Sequence, residues 1–241
     1  MTRPAEPPLV GILGGMGPAA TADFYSKLIA ATPAATDQEH LKVMIWADPG
    51  VPDRSHALSG HGEDPTPALV RGAQKLAEAG AAFYVAACNG THAFLPAVRE
   101  QVDLDYLSII DATADHLRAL PHVRRAGLLA TDATLTAQLY QDGLQAVGVG
   151  PVIPEVQDQR TVMESIYAVK AGNLSDEQRR ALAEVSNRLV ERGADVVVAA
   201  CTEIPLALTS SEAGRPLIDP AVLLANRVVT EAGLRSQSSP S

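Results

Sequence analysis

Short apolar runs alternate with amphipathic stretches along the whole chain. Leu9–Leu13, Leu41–Trp46, Phe83–Ala87, Tyr106–Ile110, Ala126–Ala130, Val152–Ile153, Val196–Ala200 and Ile218–Pro220 are too short to be helices, and breakers flank them. Such runs read as buried strands. The stretches between them predict helices over about 19–31, from Glu63-Asp-Pro-Thr-Pro67 to Glu78, from near Phe94, over 112–119, from after a loop at Thr131-Asp-Ala-Thr134 to Tyr140, over 161–170, from Ser175 onward and over 221–232. Proline in a first turn and the capping box Ser175-Asp-Glu-Gln178 mark two of the starts. Strand and helix alternating throughout predicts an α/β architecture with mostly parallel sheets.

One stretch occurs twice. Glu78-Ala-Gly-Ala-Ala-Phe-Tyr-Val-Ala-Ala-Cys88 is matched by Glu191-Arg-Gly-Ala-Asp-Val-Val-Val-Ala-Ala-Cys201, at a constant offset of 113 (201 − 88 = 191 − 78). Each copy reads as a helix end capped by Gly80 or Gly193, then a strand with the cysteine at its carboxyl end. That edge is where open α/β sheets bind ligands. The duplication predicts two pseudo-symmetric three-layer α/β domains, residues 1–115 plus 216–241 and residues 116–215, with the site in the cleft between them. These are the only two cysteines in the chain. Free cysteine is often simply buried, but Asn89-Gly90-Thr91-His92 and Thr202-Glu203 are polar where a core would continue apolar.

Two thiols facing each other across a cleft suit one reaction. A thiolate removes a proton from a carbon and the opposite thiol returns one to the other face, with neither metal nor cofactor. Cys88 and Cys201 are the candidate bases, and Glu203 is placed to hold or relay a proton. Asn89, Thr91, Thr202 and backbone N–H groups are candidates for stabilising a thiolate. A carbanion next to a carboxylate needs that carboxylate neutralised. The Gly14-Gly-Met-Gly-Pro18 loop between strand and helix presents backbone N–H groups to an anion. Arg54, past a strand end, is the natural bidentate partner for a carboxylate, and Lys170 is a further cation. His92 follows Cys88 by four residues, so a Cys–His nucleophile pair is an alternative.

Composition narrows the partners. The net charge of −9 argues against nucleic acid and leaves open a small anionic substrate. No apolar run approaches a membrane span. Met1–Pro8, with an acid and three prolines, does not read as a signal peptide. Two cysteines without an export signal predict free thiols in a reducing cytoplasm, and no Cys/His set has zinc spacing. The leader 1–8 and the tail Ser236–Ser241 are expected to be mobile.

These residues resemble the aspartate/glutamate racemase family, in its aspartate racemase-like branch. The resemblance rests on Gly-Gly-Met-Gly-Pro at 14–18, Pro-Asp-Arg at 52–54, Cys88-Asn89, Ala-Thr-Asp at 130–132, Lys-Ala-Gly-Asn at 170–173 and Cys-Thr-Glu-Ile-Pro at 201–205. It implies a pseudo-symmetric fold, commonly a homodimer, and cofactor-independent proton transfer by Cys88 and Cys201 on aspartate, glutamate or a related acidic amino acid. It also implies a substrate shell of Met16, Gly17, Arg54, Asn89, Gly90, Thr91, Thr131, Lys170 and Thr202. The turn after the first cysteine departs from the family's Cys-Asn-Thr-Ala-His, placing Gly90 where the threonine stands and Thr91 one residue later. Ala47-Asp48 replaces Asn-Asn, and Ala133 stands where relatives often carry glycine. An isomerase acting on another carboxylic acid, and a non-catalytic carboxylate-binding protein on the same fold, are the alternatives.

Overall fold

The computed structural model describes residues 7–238. Residues 1–6 and 239–241, where most of the expected mobile leader and part of the tail fall, lie outside the described residues. The chain forms two four-stranded parallel sheets. The first holds β1 (Leu9–Gly14), β2 (Lys42–Ala47), β3 (Phe83–Ala86) and β4 (Tyr106–Leu107), in the order β2-β1-β3-β4. The second holds β5 (Arg125–Leu128), β6 (Gly150–Val152), β7 (Val196–Val198) and β8 (Leu217–Ile218), in the order β6-β5-β7-β8. Both sheets are entirely parallel in their registers. The α/β class and the twofold internal repetition are both as expected.

The repeat extends beyond the cysteine segment. Helices Thr66–Glu78 and Asp176–Glu191 precede β3 and β7. Both end on a left-handed glycine, Gly80 at φ 81° and Gly193 at φ 92°. In both, the next residue closes the cap: Ala81 N–H donates to Leu76 O at 3.0 Å, and Ala194 N–H donates to Leu189 O at 3.1 Å. The same two leucines press on the central strands. A Cβ on Gly11 of β1 would stand 3.0 Å from Leu76, and one on Gly127 of β5 would stand 3.1 Å from Leu189. Glycine in these strands therefore lets the helix lie close against the sheet.

Side-chain alternation along β3 and β7 divides the cores. Phe83, Val85 and Ala87, with Val196, Val198 and Ala200, enter one apolar core shared by both halves and by the last helix, Pro220–Ser238. Tyr84, Ala86 and Cys88 face a core of the first half, and Val197, Ala199 and Cys201 face the matching core of the second. The strand period of two thus puts both cysteines on equivalent faces.

Several boundaries differ from the expected ones. The strand at Tyr106–Ile110 stops after two residues because Ser108 Oγ accepts the Asp111 N–H at 3.1 Å and caps a helix, Ile109–Arg118. An expected domain limit at 115/116 falls inside that helix. Leu217–Ile218 pairs with β7, so residues 216–218 join the second sheet, whereas the closing helix packs on Pro18–Ala31 and Ile109–Arg118. The loop expected at Thr131–Thr134 is largely a short helix, Asp132–Thr136, and the helix expected after it to Tyr140 is instead Leu139–Ala146, set off by Gln138 at φ 53°. The helix ending at Lys170 begins at Val156, and Ser236–Ser238 continue the closing helix.

Candidate active site

Cys88 and Cys201 follow β3 and β7 at their carboxyl ends, 8 % and 6 % exposed. Both are free thiols lining a single narrow cavity between the halves. The first half contributes Met16, Asp53, Arg54, Ser55, Asn89 and Gly90 to its wall, and the second contributes Thr131, Thr134, Lys170, Ala200, Thr202 and Glu203. Met16, Asp53, Arg54, Lys170 and Glu203 also line a wider outer pocket, walled by Gly17, Pro18, Pro49, Val51 and Val169.

The loop 14–18 is shaped by close backbone approach. Gly15 has φ 91°, and a Cβ there would lie 2.4 Å from the Asp48 backbone nitrogen. Its N–H donates to Thr21 Oγ1 at 2.9 Å, so this amide is already engaged. Arg54 binds the loop from the other side. Its Nη1 donates to Val51 O and Pro52 O at 3.1 and 2.9 Å, and its Nη2 donates to Met16 O at 3.3 Å. These contacts fix the guanidinium while Nε, buried, has no partner among the described residues. Asp53 holds the start of the short helix Arg54–Leu58 by accepting Ser55 N–H and His56 N–H at 2.7 and 3.0 Å. Burial pushes the Asp53 carboxyl up, but the His56 amide and the charges of Lys170 and Arg54 outweigh it and hold it below its usual range.

The two thiols have different surroundings. Cys201 Sγ donates to Glu203 Oε2 at 3.0 Å, and Thr202 Oγ1 donates to the same oxygen at 3.3 Å. Burial, then the Glu203 charge, pushes the Cys201 thiol well up, with Lys170 opposing. Cys201 is therefore a proton donor at neutral pH. At the repeat offset, the counterpart of Glu203 is Gly90, which carries no acid beside Cys88. Partial desolvation works against the charge of Lys170. Glu203 and the two thiols oppose that and raise it above its usual range.

Not every expected residue faces the cavity. Thr91 is fully buried behind it, its hydroxyl on Met16 Sδ at 3.4 Å. Gly17 lines the outer pocket only. Thr131 does line the cavity and also caps Asp132–Thr136, accepting Thr134 N–H at 3.2 Å. His92 is no partner for the Cys88 sulfur. Its Nδ1 donates to the Cys88 carbonyl at 3.0 Å, and its Nε2 accepts Ile109 N–H at 3.1 Å. Sequence reasoning passed over Asp53, Ser55 and Thr134. An aspartate directly before a short helix is a capping signal that marks the first of them. Among the described residues no group of His, Cys, Asp and Glu is arranged to hold a metal.

The family model described as Asp/Glu/hydantoin racemase matches residues 13–228. The chain belongs to that family. This racemase-family chain is 28% identical over 227 residues to the broad specificity amino-acid racemase RacX of Bacillus subtilis (strain 168), covering 92% of this chain and 97% of that protein. Among solved structures it is similar to the Picrophilus torridus aspartate racemase, with TM-score 0.84, 33% identity and 94% of each chain covered. A Francisella tularensis glutamate racemase in complex with D-glutamate shares the fold at TM-score 0.74, with 13% identity, 98% of this chain and 84% of that chain covered. The family-level resemblance, the α/β fold and the racemase class of enzyme hold. No helix among the described residues is long and apolar enough to cross a membrane.

Proposed function

We propose that the protein inverts the α-carbon of aspartate, glutamate or a related acidic amino acid by two-base proton transfer between Cys88 and Cys201, without a cofactor. The observation that carries this reading is that two thiols from equivalent strand ends line one cavity with the Arg54 guanidinium and the Lys170 ammonium. Arg54 and Lys170 take the substrate's carboxylates, and the Asn89 NH2 donates to one of them. Neutralising the carboxylate lowers the energy of the carbanion that forms beside it. With Cys88 as base, Cys201 is already protonated and returns its proton to the opposite face. Glu203 then accepts and delivers the proton that reloads Cys201. In the reverse direction the thiol proton passes to Glu203, and Cys201 becomes the base.

The need to keep both thiols reduced supports a cytoplasmic location for this reaction. Homodimer assembly goes with the same reading, and exposed Ile153, Val156 and Tyr167 give the second half an apolar face for it; sedimentation velocity tests the assembly. An isomerase for a bulkier carboxylic acid is the second reading. It is favoured by Gly90, where an added Cβ meets nothing nearer than 3.6 Å.

Solvent-deuterium incorporation at the α-carbon, followed by NMR in D2O, tests the proposal on both enantiomers of aspartate and glutamate with a neutral amino-acid panel. Wild type should exchange and racemise an acidic member. Cys88→Ser and Cys201→Ser should each abolish inversion while leaving the fold intact. Absence of exchange on every member overturns the amino-acid racemase reading.

A further inference from the structure

One buried contact at the cavity, between Tyr140 and Asn89, is explained by neither the thiol chemistry nor the carboxylate cations. Tyr140, on helix Leu139–Ala146 of the second half, is fully buried. Its hydroxyl donates to Asn89 Oδ1 at 2.5 Å, across 51 residues of sequence. Asn89, 3 % exposed, belongs to the first half and lines the cavity. Its Nδ2 is buried and has no hydrogen-bond partner among the described residues. An amide has one accepting end and one donating end. With the accepting end taken by the phenol, the donating end is left for the cavity.

We propose that Tyr140 is a positioning residue that locks the Asn89 amide with its NH2 toward the substrate, making position 89 a donor dedicated to a carboxylate.

The lock is needed because the cavity wall carries charges of both signs, Asp53 and Glu203 as well as two cations, and only a fixed amide presents one defined end. Arg54, whose Nε is unpartnered, and Lys170 share the wall with Asn89. An unrestrained amide in an empty site is free to turn its oxygen toward these cations and present the wrong end to an incoming carboxylate. The chain is bent to supply the lock. Gln138 stands at φ 53°, the only non-glycine at positive φ among the described residues, and restarts the helix that carries Tyr140. Gln141 Nε2, in the same turn, donates to Leu135 O at 2.7 Å and ties the restart to the preceding helix. Burial pushes the phenol's ionisation far up, so it remains a donor at all working pH values. The bond joins the two halves, so the site is ready for a carboxylate only when they are packed together.

This inference rests on the carboxylate-binding reading of the cavity. Its test compares wild type, Tyr140→Phe, Asn89→Ala and the double variant in two assays, racemisation of aspartate and calorimetric binding of succinate. Tyr140→Phe should raise KM and weaken succinate binding roughly tenfold or more, the loss of one hydrogen bond to a charged group, with a smaller change in kcat. In the Asn89→Ala background the same exchange should change neither quantity further. Equal KM and succinate affinity in wild type and Tyr140→Phe, or additive effects in the double variant, would overturn the proposal. Wild type that binds succinate and shows the non-additive pair without any turnover sinks the racemase reading and leaves Tyr140's role standing. Wild type with neither turnover nor succinate binding overturns both.

Discussion

Acid should destabilise this protein through one histidine. His92 is buried beside the Cys88 turn, its two ring nitrogens satisfied by Cys88 O and Ile109 N–H, with the Tyr106 ring edge-on at 6.3 Å. Burial lowers its pKa from 6.5 to about 4, outweighing the pull of the Cys88 and Asn89 backbone groups. Between those two pH values the unfolded chain binds a proton that the folded chain refuses. Stability is therefore fully present above pH 6.5, falls as pH drops toward about 4, and is flat below that as far as this group is concerned. A shift of this size corresponds to about 3 kcal/mol at 1.36 kcal/mol per unit, a large share of a domain's net stability. His92→Gln keeps an acceptor for Ile109 N–H and removes the titration. It should be less stable than wild type at neutral pH, by about 1–3 kcal/mol for the abandoned Cys88 carbonyl. The gap should close as pH falls, because only wild type loses the histidine contribution. Urea denaturation of both proteins at pH values spanning that window measures it. A gap that stays constant with pH would refute the reasoning, whatever carboxylates such as Asp53 and Asp195 add at lower pH to both proteins alike.

Two further outcomes bear on the site. Arg54→Lys keeps the charge but cannot reach three backbone carbonyls and still present a separate donor. It should lower kcat/KM roughly 10- to 150-fold, the range for one lost hydrogen bond of about 1.5–3 kcal/mol to a charged group; unchanged kcat/KM in steady-state assays would remove Arg54 from the substrate shell. Glu203→Gln leaves burial in place but removes the like charge and the accepting carboxylate beside Cys201. In a Cys88→Ser background, the ultraviolet absorbance of the Cys201 thiolate should rise at lower pH than with Glu203 present; an unmoved or raised titration would show that burial alone sets the thiol.

Most of the architecture was legible because it depends on local periodicity. The strand runs, the glycine caps at 80 and 193 and the capping box at Ser175 are each decided within a few residues, and they fold as read. Boundaries failed where a single side chain overrode the pattern. Ser108 captures the Asp111 amide and ends a strand that apolar Ile109 and Ile110 had extended. Gln138 takes a left-handed turn that no propensity scale assigns to glutamine. A domain limit is not decided by local pattern at all. The shared core takes side chains from both sheets and the last helix, so a division along the sequence does not match the division in space.

The chemistry divides in the same way. The duplicated segment alone placed two cysteines at equivalent strand ends, because a strand's period of two and a constant offset carry a side chain to the same face in both copies. Which groups surround each thiol depends on pieces distant in sequence meeting in three dimensions. Glu203 reaches Cys201 through a local turn, but Tyr140 reaches Asn89 from 51 residues away. Thr91, expected in the substrate shell, is rotated by its turn onto Met16 instead. A short motif specifies which residues are near a strand end. It does not specify which way a buried amide or hydroxyl points, because a partner from the other half of the molecule sets that direction.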